Sequence, residues 1–359
     1  MDDQTFGGTS HTQLQTKPEF KVSKFAFPQS MYIILIIVAW ILTTSWAAGL
    51  GFNLMDRSST VTKLWGDVKL YNQWAENMLQ NVFPFSSPSS STAWADKAWQ
   101  YPPIASLIFI IGFKLHSGLT GFIQFAVLID FAILVALLYA GRLRRDNDGN
   151  TKQESNFIPA LVWVITPLVL GPFLLGRFDL FPTFAVIIAL LSASNSRRFG
   201  IWISIGAMLK VWPALCLLAI PRRMFKQSVF WFLGTSLILS GISYIWWPGG
   251  WKVFFSGQFH RGLEIESIAT LPYLLITRAL GVKIRNEYDY GSHQIGGYGT
   301  ETIGQLLSIG FIVLVLLISM WRWKGRLESV PEADLTLVLI LTSLVTSRVL
   351  SPQYMIWVL

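Results

Sequence analysis

Six continuous apolar runs, at 31–51, 119–141, 157–175, 227–248, 303–321 and 333–350, limit what this chain can fold into. A bilayer core of about 30 Å takes about 20 apolar residues in a helix, and these runs meet or approach that length. Weaker or broken runs lie at 102–115, 178–194, 199–220 and 263–280. The runs are continuous and do not alternate apolar with polar residues, which excludes the pattern of a membrane barrel. Charged residues make up 13% of the 359 and hydrophobic residues 52%. Too few polar side chains remain to cover a soluble fold, and the balance is the reverse of a disordered chain. A lone cysteine, Cys216, excludes a disulfide scaffold and a multi-cysteine metal site. The four histidines are scattered and none has metal-ligand spacing. The expected class is all-α: a polytopic transmembrane helix bundle of about eight to ten membrane segments, some of them re-entrant or broken.

The net charge of +8 reads as loop Lys and Arg facing anionic lipid, not as a nucleic-acid surface. Fifteen of the 28 basic residues fall in five clusters: Lys17 to Lys24, Arg142 to Lys152, Arg197–Arg198, Arg222 to Lys226, and Arg322 to Arg326. The positive-inside rule assigns these clusters to the cytoplasm and the long segments 52–101 and 249–299 to the outside. Residues 1–30 read as a disordered cytoplasmic tail, and 31–359 as one transmembrane domain. The first run is too long for a signal-peptide core and lacks a small-residue cleavage site, so it is retained. Parity then requires that 199–220, flanked by basic clusters, dips in and comes back, broken near Lys210 and Pro213. It also requires that 102–141 makes a net single crossing. The last residues, 351–359, begin another apolar run, and we expect a longer protein to continue from there.

This assignment gathers polar residues at the outer ends of the spans: Asp67, Tyr101 to Pro103, Arg177 to Asp179, His260 to Glu266, and Ser351 to Tyr354. That grouping argues for one extracytoplasmic site built from several loops. In the first outer loop, residues 64–78 read as an amphipathic helix. Asp67, Tyr71, Trp74 and Met78 share one face at i, i+4, i+7 and i+11. Such an aromatic face suits a membrane surface. A carboxylate on it is partly desolvated and tunable for base work, or is a solvated loop acid or helix cap. Tyr101-Pro102-Pro103 opens a helix, where proline is well placed. Arg177 and Asp179 sit at a short intramembrane turn. They either pair with each other or face a polar cavity, with Arg177 holding a phosphate. Lys210, beside a proline break, either snorkels or binds an anion. On a helix, His260 and Glu264 would be i, i+4, as would Gly262 and Glu266. Hydrogen bonding to a hydroxylated ligand or a phosphate is the simple chemical reading of that segment, and an ordinary charged loop the plain one.

Asp67 with Tyr71, Tyr101-Pro102-Pro103 and Gly176-Arg177-Phe178-Asp179 come first in a longer ordered set. Gly206 to Lys210-Val-Trp-Pro213, His260-Arg261-Gly262 to Glu266-Ser267, and Ser351-Pro352-Gln353-Tyr354 complete it. The set resembles glycosyltransferases of the GT-C superfold, and within them glycosyltransferase family 87 (the DUF2029 proteins), from about residue 31 to 359. That family contains polyprenol-phosphate-mannose-dependent α-1,2-mannosyltransferases of actinobacterial envelopes.

The resemblance implies a plasma-membrane enzyme with a cytoplasmic N-terminus. It would take a sugar, most simply mannose, from a polyprenyl-phosphate donor to an envelope glycolipid or glycan, with inversion. It implies Asp67 as catalytic base. Tyr71, Tyr101, Arg177, Asp179, Lys210, His260, Arg261, Glu266, Gln353 and Tyr354 are then the substrate-binding candidates. No metal or other cofactor is expected, because cationic side chains can meet a monophosphate leaving group. The rival readings are an arabinofuranosyl or glucosyl transferase, and a transporter of lipid or sugar. A transporter of the common kind shows paired repeats with matching broken segments. The broken segments near 102–118 and 199–220 show no repeat between halves.

Overall fold

The computed structural model describes residues 28–57, 65–83, 99–116, 118–142, 156–259, 262–289 and 292–359. Apart from its last three residues, the expected tail 1–30 lies outside them. The chain is an all-α polytopic bundle, with one small sheet among the described residues. Among the described residues, four helices are long and apolar enough to cross a bilayer: α1 (Gln29–Arg57), α4 (Leu119–Arg142), α9 (Arg222–Trp246) and α12 (Thr300–Trp323). Shorter helices pack among them: α2 (Gly66–Leu79), α3 (Ser106–Leu115), α5 (Ile158–Leu170), α6 (Phe173–Gly176), α7 (Leu180–Leu191), α8 (Ser196–Leu209) and α13 (Glu332–Val345).

Two expected spans are interrupted. The run 157–175 breaks at Gly171, whose φ of 56° ends α5, and Pro172 starts the short α6. The run 333–350 stops at Val345. There the Ser347 hydroxyl accepts from the Val349 amide at 3.1 Å, and Ser351 precedes a proline, which disfavours helix. A 3-10 turn over Pro352–Trp357 follows.

The segment 199–220 goes in and returns. Asn195 caps α8 by accepting from the Arg198 amide at 3.1 Å. Lys210 is extended (φ −153°, ψ 134°), and a 3-10 turn over Trp212–Leu218, with Pro213 inside it, carries the chain back. The start of α8 packs against the second and third turns of α9. The Arg197 guanidinium of α8 lies over the Trp231 ring of α9 at 4.5 Å. Arg322, at the end of α12, donates to Val330 O at 3.2 Å and Ile220 O at 3.5 Å. Arg197, Arg222 and Arg322 therefore share one end of the bundle, and Lys210 points its helix terminus to the other.

That second end carries α2, α10 (Gly250–Phe259), α11 (Thr270–Ala279) and the sheet. The sheet has order β1-β3-β2, all antiparallel, from β1 (Leu263–Glu264), β2 (Arg285–Asp289) and β3 (Ser292–Gly296). It corrects two sequence expectations. The run 263–280 is a strand followed by a ten-residue helix, too short to cross. And Glu264 is not on a helix with His260: it pairs with Gln294 of β3, and its amide donates to Arg348 O at 2.9 Å.

The aromatic face of α2 is also reassigned. Tyr71, Trp74 and Met78 do not lie on a membrane surface but are buried against α3 and α4. Tyr71 stacks on Phe109 (centroids 4.6 Å apart) and Trp74 meets Trp99 edge-on (4.9 Å). Each such pair contributes roughly 1 kcal/mol beyond its buried area.

A further carboxylate lies deep among the long helices. Asp130 of α4 is fully buried. It accepts from the indoles of Trp40 at 2.6 Å and Trp163 at 2.7 Å, and from the Thr44 hydroxyl at 3.1 Å. Three neutral donors from α1 and α5 thus staple three helices at one acid.

Candidate functional site

Four sequence-distant pieces converge at the second end of the bundle. Asp67 stands in the first turn of α2, where the helix dipole favours an acid. Trp65, just before it, donates its indole N–H to Pro172 O at 3.1 Å. Its ring fills the space where a Cβ on Gly176 would go. Only glycine at 176 lets that ring in, and this contact brings the start of α2 to Arg177.

Arg177 forms an ion pair with Asp67 through Nη1 and Oδ2. The arginine side chain is 13% exposed and the aspartate 36% exposed, so the pair opens on the Asp67 side. The Arg177 guanidinium also lies over the Phe173 ring at 5.4 Å, and its Nε is buried without a hydrogen-bond partner.

Asp179 precedes α7 and is fully buried. Its Oδ1 accepts from Lys210 Nζ at 2.6 Å and from the Trp357 indole at 2.6 Å, while Oδ2 has no hydrogen-bond partner. Lys210 lies over three rings: Tyr354 at 4.7 Å, Trp357 at 5.0 Å and Tyr101 at 5.8 Å. The break after α8 is what delivers this amine, because a continuing helix would carry the backbone away from Asp179.

Arg177 and Asp179 therefore do not pair with each other, as one reading of the turn had it. Each takes its partner from elsewhere: Arg177 from α2, Asp179 from the end of α8. Arg177 and Asp179 stand two residues apart on the same turn, and each is neutralised within its own ion pair.

The remaining candidates are placed less directly. Tyr71 and Tyr101 are buried, with hydroxyls 3.4 Å apart. Burial raises the Tyr71 phenol well above its ordinary range, with Tyr101 and Asp179 adding to the shift. Gln353 is buried and accepts from the Ser351 hydroxyl at 3.0 Å. Glu266 is exposed in the turn after β1. His260 and Arg261 lie outside the described residues. Among the described residues no three His, Cys, Asp or Glu side chains gather as metal ligands would.

Beside the ion pairs is a cavity of about 780 Å³ between the returning turn Trp212–Leu218, α12 and α13. Its walls are mostly apolar, with Leu215, Phe311 and Leu344 among them, and they include Arg348, just after α13. Tyr354 and Trp357 form the layer it shares with Lys210. Trp357 and Arg348 escaped the sequence reading. Trp357 stands three positions after Tyr354, a spacing that puts both on one side of a 3-10 turn.

The arrangement can bind an anion through two cations already held in place, offer a carboxylate at an accessible edge, and receive an apolar chain beside them. No curated protein and no solved structure matches the chain. A family profile described as glycosyltransferase family 87 matches residues 99–352, a range that includes Tyr101, Arg177, Asp179 and Lys210 and begins after Asp67. With most of its length matched, the chain belongs to glycosyltransferase family 87 and is a membrane glycosyltransferase.

Proposed function

We propose that the protein transfers mannose from a polyprenyl-phosphate-mannose donor to an envelope glycolipid or glycan, with inversion, at the extracytoplasmic face of the plasma membrane. The observation that carries this reading is the Asp67–Arg177 ion pair beside the Lys210–Asp179 pair. Both cations are neutralised by carboxylates, so an anionic donor exchanges one partner for another and does not have to order a free side chain. When the donor phosphate takes Arg177, Asp67 is released next to it.

Asp67 then accepts the proton of the acceptor hydroxyl as that oxygen attacks the anomeric carbon. The bond from that carbon to the phosphate oxygen breaks, and polyprenyl phosphate leaves with the electron pair. Displacement from the opposite face turns a β-linked donor into an α-mannoside. Arg177 and Lys210 meet the charge that grows on the leaving oxygen, which is where preorganised donors act most. In this reading no metal or organic cofactor takes part, because the leaving group is a single phosphate facing two cationic side chains. The cavity beside Lys210 receives the isoprenoid chain. The basic clusters at the opposite end of the bundle support a cytoplasmic N-terminus and an outward-facing site.

The test is transfer in proteoliposomes from a panel of polyprenyl-phosphate sugars. Mannose transfer with α-linked product is the expected result. Transfer of glucose or arabinofuranose alone would replace mannose in the assignment, and transport of lipid or sugar without a new glycosidic bond would overturn the mechanism.

A further inference from the structure

The helix α11 has two unlike faces. Thr270, Tyr273 and Thr277 are buried on one, where the Tyr273 hydroxyl donates to Tyr298 O at 3.0 Å. The other face and the loop after it expose Leu271, Leu275, Ile276, Leu280, Val282 and Ile284, with Leu275 at 61% and Leu280 at 72%. The helix has ten residues, about 15 Å of length, half of what a crossing needs. It cannot lie deep, because the adjoining β2 is an edge strand carrying Arg285, Asn286 and Glu287. An open sheet edge does not sit in hydrocarbon. It cannot stand free in water either without leaving the apolar face uncovered.

One location satisfies both demands. We propose that α11 and the loop to β2 are seated in the headgroup region of the leaflet, with the apolar face in the outer part of the acyl layer and the sheet above it. The chain between α9 and α12, both of bilayer length, is already held at that surface. Arg278 and Lys283 are exposed around the apolar face, and Arg285, also exposed, is paired with Glu287 at 3.6 Å; the two remaining cations make an anionic lipid surface the partner. β1 and the turn that leads into α11 reach residues lining the cavity through two bonds: the Glu264 amide to Arg348 O at 2.9 Å, and the Ser267 hydroxyl to Ser347 O at 2.7 Å. A leaflet-held α11 therefore steadies the wall beside which a lipid-linked substrate enters.

The experiment uses the full chain in vesicles, with Leu275→Cys and, separately, Leu280→Cys carrying an environment-sensitive fluorophore. The native Cys216 is buried, and the wild type controls for its labelling. Ile312→Cys on α12 serves as the deep reference. Lipids bearing a nitroxide near the headgroup should quench the two α11 probes by more than about half, and roughly twofold more than lipids labelled near the chain end. The Ile312→Cys probe should show the opposite order. Adding anionic lipid to zwitterionic vesicles should increase the shallow quenching, and Arg278→Glu with Lys283→Glu should abolish the increase. Quenching by neither lipid, stronger quenching from the chain end, or no response to anionic lipid would overturn the proposal. The readout does not depend on sugar transfer, so its failure is distinguishable from a failure of the enzymatic reading.

Discussion

Trp357 donates its indole N–H to Asp179 Oδ1 at 2.6 Å across 178 positions of sequence, and the same oxygen accepts from Lys210 Nζ at 2.6 Å. One carboxylate oxygen thus ties the start of α7, the break after α8 and the C-terminal turn. Trp357→Phe keeps the stacking on Trp212 and Tyr354 and removes only the donor. A hydrogen bond to a charged group is worth roughly 1.5–3 kcal/mol. The unfolding free energy in detergent should fall by about that much, with a raised KM for donor. Unchanged stability would show that the bond is not formed in the protein.

Asp179→Leu removes the acid and leaves Lys210 without it. Breaking a buried pair from one side costs about 3–5 kcal/mol. Pairing this change with Lys210→Met should recover part of the loss in a double-mutant cycle, measured by thermal unfolding. Strictly additive losses would mean that the two side chains do not interact.

Arg177→Gln should raise the donor KM by about tenfold or more, a loss of roughly 1.4 kcal/mol, and leave acceptor KM nearly unchanged. Initial rates at varied donor and acceptor check this. An effect confined to the acceptor would move Arg177 to the other substrate.

Much of this bundle was legible in the apolar runs and basic clusters, because helix length and sidedness are properties of single segments. The break at Lys210-Val-Trp-Pro213 was legible for the same reason: a span between two basic clusters cannot cross. Pairing was not legible. The turn Arg177-Phe178-Asp179 offered the pairing of neighbours, and the partners came instead from Asp67 and Lys210, because the Trp65 and Gly176 contact is invisible until α2 is docked. Asp130 carried a signal that stood unused, an acid inside a 24-residue apolar helix. Its indole partners could not be read, since Trp40 is 90 positions away. The aromatic spacing of α2 marks one buried face, and that face packs on α3 and α4 instead of the membrane surface, because periodicity reports a buried side without reporting what buries it.

Asp130→Leu leaves the Trp40 and Trp163 indoles and the Thr44 hydroxyl without their acceptor. A loss on the order of 3 kcal/mol is expected, since buried donors left unmatched cost about 1–3 kcal/mol each. Asp130→Asn keeps one acceptor oxygen and should lose less. Specific activity per folded molecule should stay near wild type in both, and a selective fall in turnover would give Asp130 a role beyond stapling helices.

Filling the cavity with Leu215→Trp should raise the KM for long-chain polyprenyl donors and spare donors with a short isoprenoid. Equal effects on both chain lengths would remove the isoprenoid from that cavity.

The most direct test of the account is the rate of mannose transfer by Asp67→Asn, measured on protein that still binds the donor. General-base catalysis contributes about 100-fold to 10,000-fold, so transfer should drop by at least about 100-fold while donor affinity holds. A variant that transfers mannose at close to the wild-type rate would contradict the claim that Asp67, released from Arg177 by the donor, takes the acceptor proton.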